Sequence, residues 1–179
     1  MFVAIYFKME KDFFDPREVL LHLDLKDDFI GADFGCGSGS WTIPLAKLVP
    51  KGKVFAIDLL PEPISVLRSK MKDEKIENIE PKIADVEENT FLPSEYLDFV
   101  LMTNLLFQVE DKRGVLLEAK RVLRKNGQVL IVDWKKECPF GPVEKVSKEK
   151  IKEIALDLGF KIKKEFDVGS YHFGMILVK

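Results

Sequence analysis

The chain has 179 residues, 46% hydrophobic and 32% charged, a balance that suits one globular domain with a substantial core. A net charge of -2 with a pI near 5.8 argues against nucleic acid as the main partner, since that role demands a basic face. No apolar run approaches the roughly 20 residues of a membrane span. The two cysteines, Cys36 and Cys138, make neither a zinc site nor a disulfide framework.

The opening MFVAIYFKME is apolar, but Lys8, Glu10 and Lys11 arrive early and no basic segment precedes it, so it reads poorly as a signal peptide and a cytoplasmic location is expected. Residues 1–28 read as a cap or lid, with Phe2, Ile5, Tyr6, Phe7, Phe13 and Phe14 covering the sheet. Asp15-Pro16 opens a helix through Val19, Leu20 and Leu23, with His22 on its surface.

Short apolar runs then alternate with segments of helical period. Strands are expected at Phe29–Phe34, Lys53–Asp58, Ile79–Asp85, Leu97–Thr103 and Gln128–Trp134; Pro81 marks the third as an edge strand. Helices are expected at Trp41–Val49, with Pro44 in its first turn, at Pro61–Lys72 and at Gly114–Arg124, the last closed by a Lys125–Gly127 turn. Ser147 caps a further helix that Gly159 stops. Lys161–Val168 and Tyr171–Lys179 then form a hairpin around Gly169-Ser170. Five β-α units and a terminal hairpin predict an α/β fold: one doubly wound, mostly parallel, seven-stranded sheet with one antiparallel strand, filling a single domain over residues 1–179.

The stretch Asp33-Phe-Gly-Cys-Gly-Ser-Gly39 lies where open α/β sheets bind ligands, between the first strand and its helix. It is not the dinucleotide fingerprint, because Ser40 stands where the third glycine belongs, and no Gly-Lys-Ser/Thr follows for a phosphate loop. An aspartate beside the loop repels pyrophosphate and favours a cation.

DFGCGSG resembles motif I of the class I S-adenosylmethionine-dependent methyltransferases. KVFAID, IAD, LDFVLMTNLLFQVED and LLEAKRVLRKNGQVLIVDW are similar to that family's later motifs in the same order, over about Pro16 to Lys179. The resemblance implies S-adenosylmethionine as cofactor and S-adenosylhomocysteine as product, with Asp58 taking the ribose hydroxyls and Asp85 facing the adenine amino group. Asp33 would serve the methionine end. Gly35 and Gly37 allow close backbone approach, Gly39 allows close helix packing, and Cys36 is small enough for the loop. Leu59 and Val86 would flank the adenine, and Thr103 would border the cofactor.

Methyl transfer needs alignment more than a catalytic array, because the sulfonium is already a good leaving group. Asn104, Phe107, Asp133 and Trp134, at the ends of the fourth and fifth strands, are candidate acceptor contacts. Phe107 stands where many small-molecule relatives carry histidine. That leaves His172 as the candidate base, against a purely structural reading of the same residue. No metal is expected. The leading expectation is a methyltransferase acting on a small molecule, like the quinone-biosynthesis group, as a monomer or homodimer. An RNA or protein methyltransferase, and a non-catalytic binder of the cofactor, are the alternatives.

Overall fold

A computed structural model describes residues 14–179. Its strands are β1 (Ile30–Phe34), β2 (Lys53–Asp58), β3 (Ile79–Ile83), β4 (Leu97–Thr103), β5 (Leu123–Trp134), β6 (Lys161–Val168) and β7 (His172–Val178). They form one sheet in the order β3-β2-β1-β4-β5-β7-β6. The first five pair in parallel, while β7 runs antiparallel to both β5 and β6. The helices are α1 (Pro16–Leu20), α2 (Thr42–Leu48), α3 (Pro61–Asp73), α4 (Lys112–Val122) and α5 (Lys148–Asp157).

Strand residues alternate between faces, so the period of two divides the core. Phe34, Ile57, Val100, Met102 and Ile131 pack with Val115, Ala119, Ile151 and Ala155 of α4 and α5. Val54, Ala56, Phe99, Leu101, Val132 and Ile176 pack with Leu20, Ile43, Ile64 and Leu67 of α1 to α3. Every residue of β4 is buried, which is why its sequence is nearly continuous in apolar residues. Truncating Leu101 there to alanine would cost about 2–5 kcal/mol.

The expected topology is present, with local corrections. Helices follow β1, β2, β4 and β5, but β3 leads to β4 through a link without a helix, so the β-α units number four among the described residues. The Lys125–Gly127 turn is absorbed into β5: α4 ends at Val122 and the chain extends at once from Leu123. Asn126 keeps its turn character there at φ 64°, and the β4–β5 register jumps between Leu97/Leu123 and Phe99/Gln128. β3 stops at Ile83, freeing Asp85 into the link, and α1 ends at Leu20, with Leu23 buried by the turn beyond it. Asp15 caps α1 by accepting from the Arg17 amide. The expected aromatic cover from Phe2 to Phe13 lies outside the described residues.

Candidate cofactor and acceptor site

At the carboxyl edge of the parallel strands, the chain leaves β1 through the glycine loop. The amides of Gly35 and Cys36 both donate to the Ile57 carbonyl, at 2.8 and 2.9 Å, pinning the loop to the end of β2. Gly37 has φ 51°, and a Cβ on it would meet nothing within 4 Å, so its bare backbone faces open space. Gly39 has φ 87°, and a Cβ there would come within 2.4 Å of Leu67 on α3. One glycine thus leaves the loop backbone open, and the other lets α2 and α3 close behind it. Cys36 is buried beside them, and burial with the nearby Asp33 and Asp58 charges pushes its thiol pKa up.

Asp33 is fully buried. Its Oδ2 accepts from the Thr42 hydroxyl at 2.6 Å, whereas Oδ1 is buried without a hydrogen-bond partner. Burial, opposed by the Thr42 bond and assisted by the Asp58 charge, pushes the Asp33 pKa up to about 7. Asp58 is half-buried at the end of β2 and is already busy. Its Oδ2 accepts from the Gly37 amide at 2.8 Å and its Oδ1 from the Leu60 amide at 3.0 Å. Each carboxylate oxygen keeps a second lone pair for an outside donor. Leu59, beside it, is largely exposed, while Val86 is buried in the core.

Asp85 closes its own turn by accepting from the Glu87 amide at 2.8 Å. The link it starts is clamped to α4 at two points that the sequence did not disclose. The Glu87 carboxylate accepts from the Asp111 amide at 2.6 Å. Glu118, buried on α4, accepts from the Thr90 amide at 2.9 Å and from the Thr90 hydroxyl at 2.5 Å. Arg121 donates to both oxygens of Glu118 at 2.7 Å. Desolvation opposes the Glu118 charge, but the Arg121 and Thr90 bonds together hold its pKa below the usual carboxylate range. An apolar helix face interrupted by a lone glutamate, Val-Leu-Leu-Glu-Ala, was the available signal.

Across the sheet, Thr103 is buried at the end of β4, and Asn104 turns the chain at φ 51° with its amide donating to the Val132 carbonyl at 2.8 Å. Phe107 packs half-buried beyond it. Asp133 is almost fully buried and holds that turn from inside. Its Oδ2 accepts from the Leu106 amide and its Oδ1 from the Trp134 amide. Burial pushes its pKa up to about 6 against the Trp134, Leu106 and Phe107 amide bonds. Trp134 pairs across to His172, their rings 4.1 Å apart. His172 also meets Phe14 at 5.3 Å, and Phe14 meets Trp41 at 5.6 Å. Burial, with a lesser push from Lys135, lowers the His172 pKa to about 4.

Among the described residues four buried side-chain polar atoms have no hydrogen-bond partner: Asp33 Oδ1, Asp98 Oδ1, Asn104 Oδ1 and His172 Nε2. Asp98, at the opposite edge, is ion-paired with Arg124. The other three lie on β1, in the turn just after β4 and at the start of β7, all at the carboxyl edge of the parallel strands. Buried polar groups are normally paired, so these three are candidates for ligand contacts.

Fold and site together define an open α/β protein with a glycine loop and a buried aspartate at the carboxyl edge of its parallel strands. The chain belongs to the methyltransferase domain family, whose sequence model matches residues 32–127. The ubiquinone/menaquinone biosynthesis C-methyltransferase of Vibrio vulnificus is 33% identical over 116 residues, 64% of this chain and 44% of that protein. The demethylmenaquinone methyltransferase of Bacillus subtilis is 31% identical over 120 residues, 66% of this chain and 51% of that protein. The chain therefore spans about half the length of these curated relatives. A solved SAM-dependent methyltransferase from Aquifex aeolicus is 31% identical with a TM-score of 0.87, covering 93% of this chain and 90% of its own. The [4+2]-cyclase SpnF shares the fold, with a TM-score of 0.82, at 13% identity over 92% of this chain and 79% of its own. Among the described residues no helix is long and apolar enough to cross a membrane.

Proposed function

We propose that the protein transfers a methyl group from S-adenosylmethionine to a small-molecule acceptor. The observation that carries this reading is the buried, unpartnered Oδ1 of Asp33 at the root of the glycine loop. A phosphate ligand is repelled there, whereas an ammonium supplies both the missing donor and the missing charge. S-adenosylmethionine supplies an activated methyl group on a sulfonium; the residues of the chain bind it and exclude water.

Asp33 holds the ammonium end, and Gly35, Cys36 and Gly37 let the backbone approach. Asp58 receives the ribose hydroxyls on its outer lone pairs, so ribose and loop share one carboxylate. Asp85 faces the adenine amino group, with Val86 and Leu59 on the two sides of the ring and Thr103 bordering the cofactor from β4. Asn104, Phe107, Asp133 and Trp134 form the acceptor end, Asp133 by shaping the turn. The Vibrio and Bacillus relatives, named for quinone biosynthesis and for demethylmenaquinone, support a small-molecule acceptor. The negative net charge supports it over RNA.

Calorimetry with S-adenosylhomocysteine tests the donor half: micromolar binding is expected, and no binding below millimolar sinks it. Incubation with methyl-labelled S-adenosylmethionine and size-fractionated cell extract tests the transfer. Label in the small-molecule fraction is expected. Label in protein or RNA moves the acceptor class, and bound cofactor without any labelled product makes the chain a binder rather than an enzyme.

A further inference from the structure

The ammonium of the cofactor accounts for Asp33 and leaves two unmet polar atoms at the acceptor end, Asn104 Oδ1 and His172 Nε2. A histidine used only for packing normally spends its ring nitrogens on neighbours, and an unpartnered buried one is destabilising. Phenylalanine would fill the same aromatic space without that cost. Trp134 and Phe14 pack directly on the ring, and Trp41 packs on Phe14 behind it. Trp41 is the residue before α2, directly after the glycine loop. A continuous aromatic surface thus runs from the donor's loop to the imidazole.

We propose that His172 is a catalytic residue whose Nε2 takes the proton of a hydroxyl- or amine-bearing acceptor as the methyl group arrives. The assignment rests on the methyl-transfer reading above. The acceptor's O–H or N–H points at Nε2, a second donor on it reaches Asn104 Oδ1, and its apolar body lies against Trp134. The acceptor lone pair forms the new bond to carbon, the carbon–sulfur bond breaks, and its electron pair stays on sulfur. The acceptor proton passes to Nε2 and later to water. Positive charge leaves sulfur and reappears on the imidazolium, so the net charge of the site does not change.

The charged group that acts on the ring from a neighbouring strand is Lys135. Lys135, at the exit of β5, is ion-paired with Asp167 of β6 at 2.9 Å. Asp133 spends its carboxylate on backbone amides. Burial keeps His172 neutral down to about pH 4, so it is in the proton-accepting form throughout the working range. A weak base suffices, because the acceptor's proton becomes strongly acidic while the new bond forms.

The test uses the full chain, methyl-labelled S-adenosylmethionine and the small-molecule fraction of cell extract, with transfer rates measured from pH 6 to 8. His172→Phe keeps the aromatic packing, and His172→Gln keeps a hydrogen-bonding end that cannot take a proton. Both are expected to bind S-adenosylhomocysteine within about twofold of wild type and to lose about 100-fold or more in transfer at pH 7. On a hydroxyl acceptor the wild-type rate should be flat over this range, while the variants should rise by up to about tenfold per pH unit, as the hydroxyl must ionise unaided. Wild-type transfer in His172→Phe overturns the assignment. So does loss of S-adenosylhomocysteine binding in both variants, which makes the residue structural. A wild type that binds S-adenosylhomocysteine and labels nothing overturns the transfer reading itself, a different signature.

Discussion

The two ends of the site are built by different means. At the donor end, Asp33, the glycines, Asp58 and Asp85 sit on consecutive strand exits, and each is held from within its own turn or by the adjoining elements. At the acceptor end, Trp134 and His172 meet only because a reversed strand returns the chain to the same edge. The donor end carries carboxylates against open backbone; the acceptor end is an aromatic enclosure with isolated polar atoms. A cofactor with fixed charges can be met by a local motif, whereas an acceptor is met by a surface assembled from distant parts of the chain.

The largest expected effect tests whether the donor end is one unit. Asp58→Ala removes the proposed ribose acceptor and frees the Gly37 amide together, so S-adenosylhomocysteine affinity should fall by about 100-fold, from two charge-assisted bonds of about 1.5–3 kcal/mol each that are partly replaced by water. A change below about fivefold by calorimetry would mean that Asp58 only pins the loop.

The next effect is the pH dependence of donor binding. Asp33 is protonated below about pH 7, and a cationic ligand needs it ionised. Affinity should therefore weaken on acidification from pH 7 to 5 by up to about tenfold per unit, with a proton released on binding. Asp33→Asn should bind weakly at every pH with no such slope. The same raised carboxyl acts oppositely on the ligand-free fold. It prefers its proton more than in the unfolded chain, so its contribution to stability declines as pH rises from about 4 through 7.

Smaller effects sharpen the boundary between the ends. Glu118→Gln loosens the clamp on the β3–β4 link and should lower stability by about 2 kcal/mol, seen as a reduced thermal midpoint. Its effect on S-adenosylhomocysteine affinity should be several-fold, and unaltered affinity would detach the clamp from the adenine end. Leu59→Ala, on an exposed side chain, should cost about 0.5 kcal/mol of affinity or less.

The sheet was legible because parallel strands buried on both faces leave continuous apolar runs, as in LDFVLMT and QVLIVDW. The loop was legible because glycines beside an acid are a local pattern. The Lys125–Gly127 turn misled because only the third dimension distinguishes a helix cap from a bulge: Asn126 has the left-handed backbone of either, but its amide bonds to the Lys179 carbonyl in a sheet. Thr42 and Glu118 escaped notice for a related reason. A hydroxyl opposite Asp33 and a carboxylate under Thr90 become meaningful only when nine and twenty-eight residues of separation collapse to a hydrogen bond. Asp133 was expected among the acceptor contacts, and its strand-end position gave no hint that its oxygens turn inward to backbone amides.

The reversed strand has a consequence for how such a protein diversifies. In the sheet order β5-β7-β6, the hairpin from Lys161 to Val178 meets the rest of the sheet along β5 alone. It brings His172 to the edge as one contiguous stretch of chain. Exchange of that stretch between homologues would replace His172 and leave the residues of β1, β2, β4 and β5 at that edge in place, so acceptor preference would move with it only as far as His172 sets it. A swap made at the Gly159 turn would thus separate the part of the acceptor end set by the hairpin from the part set by β4 and β5.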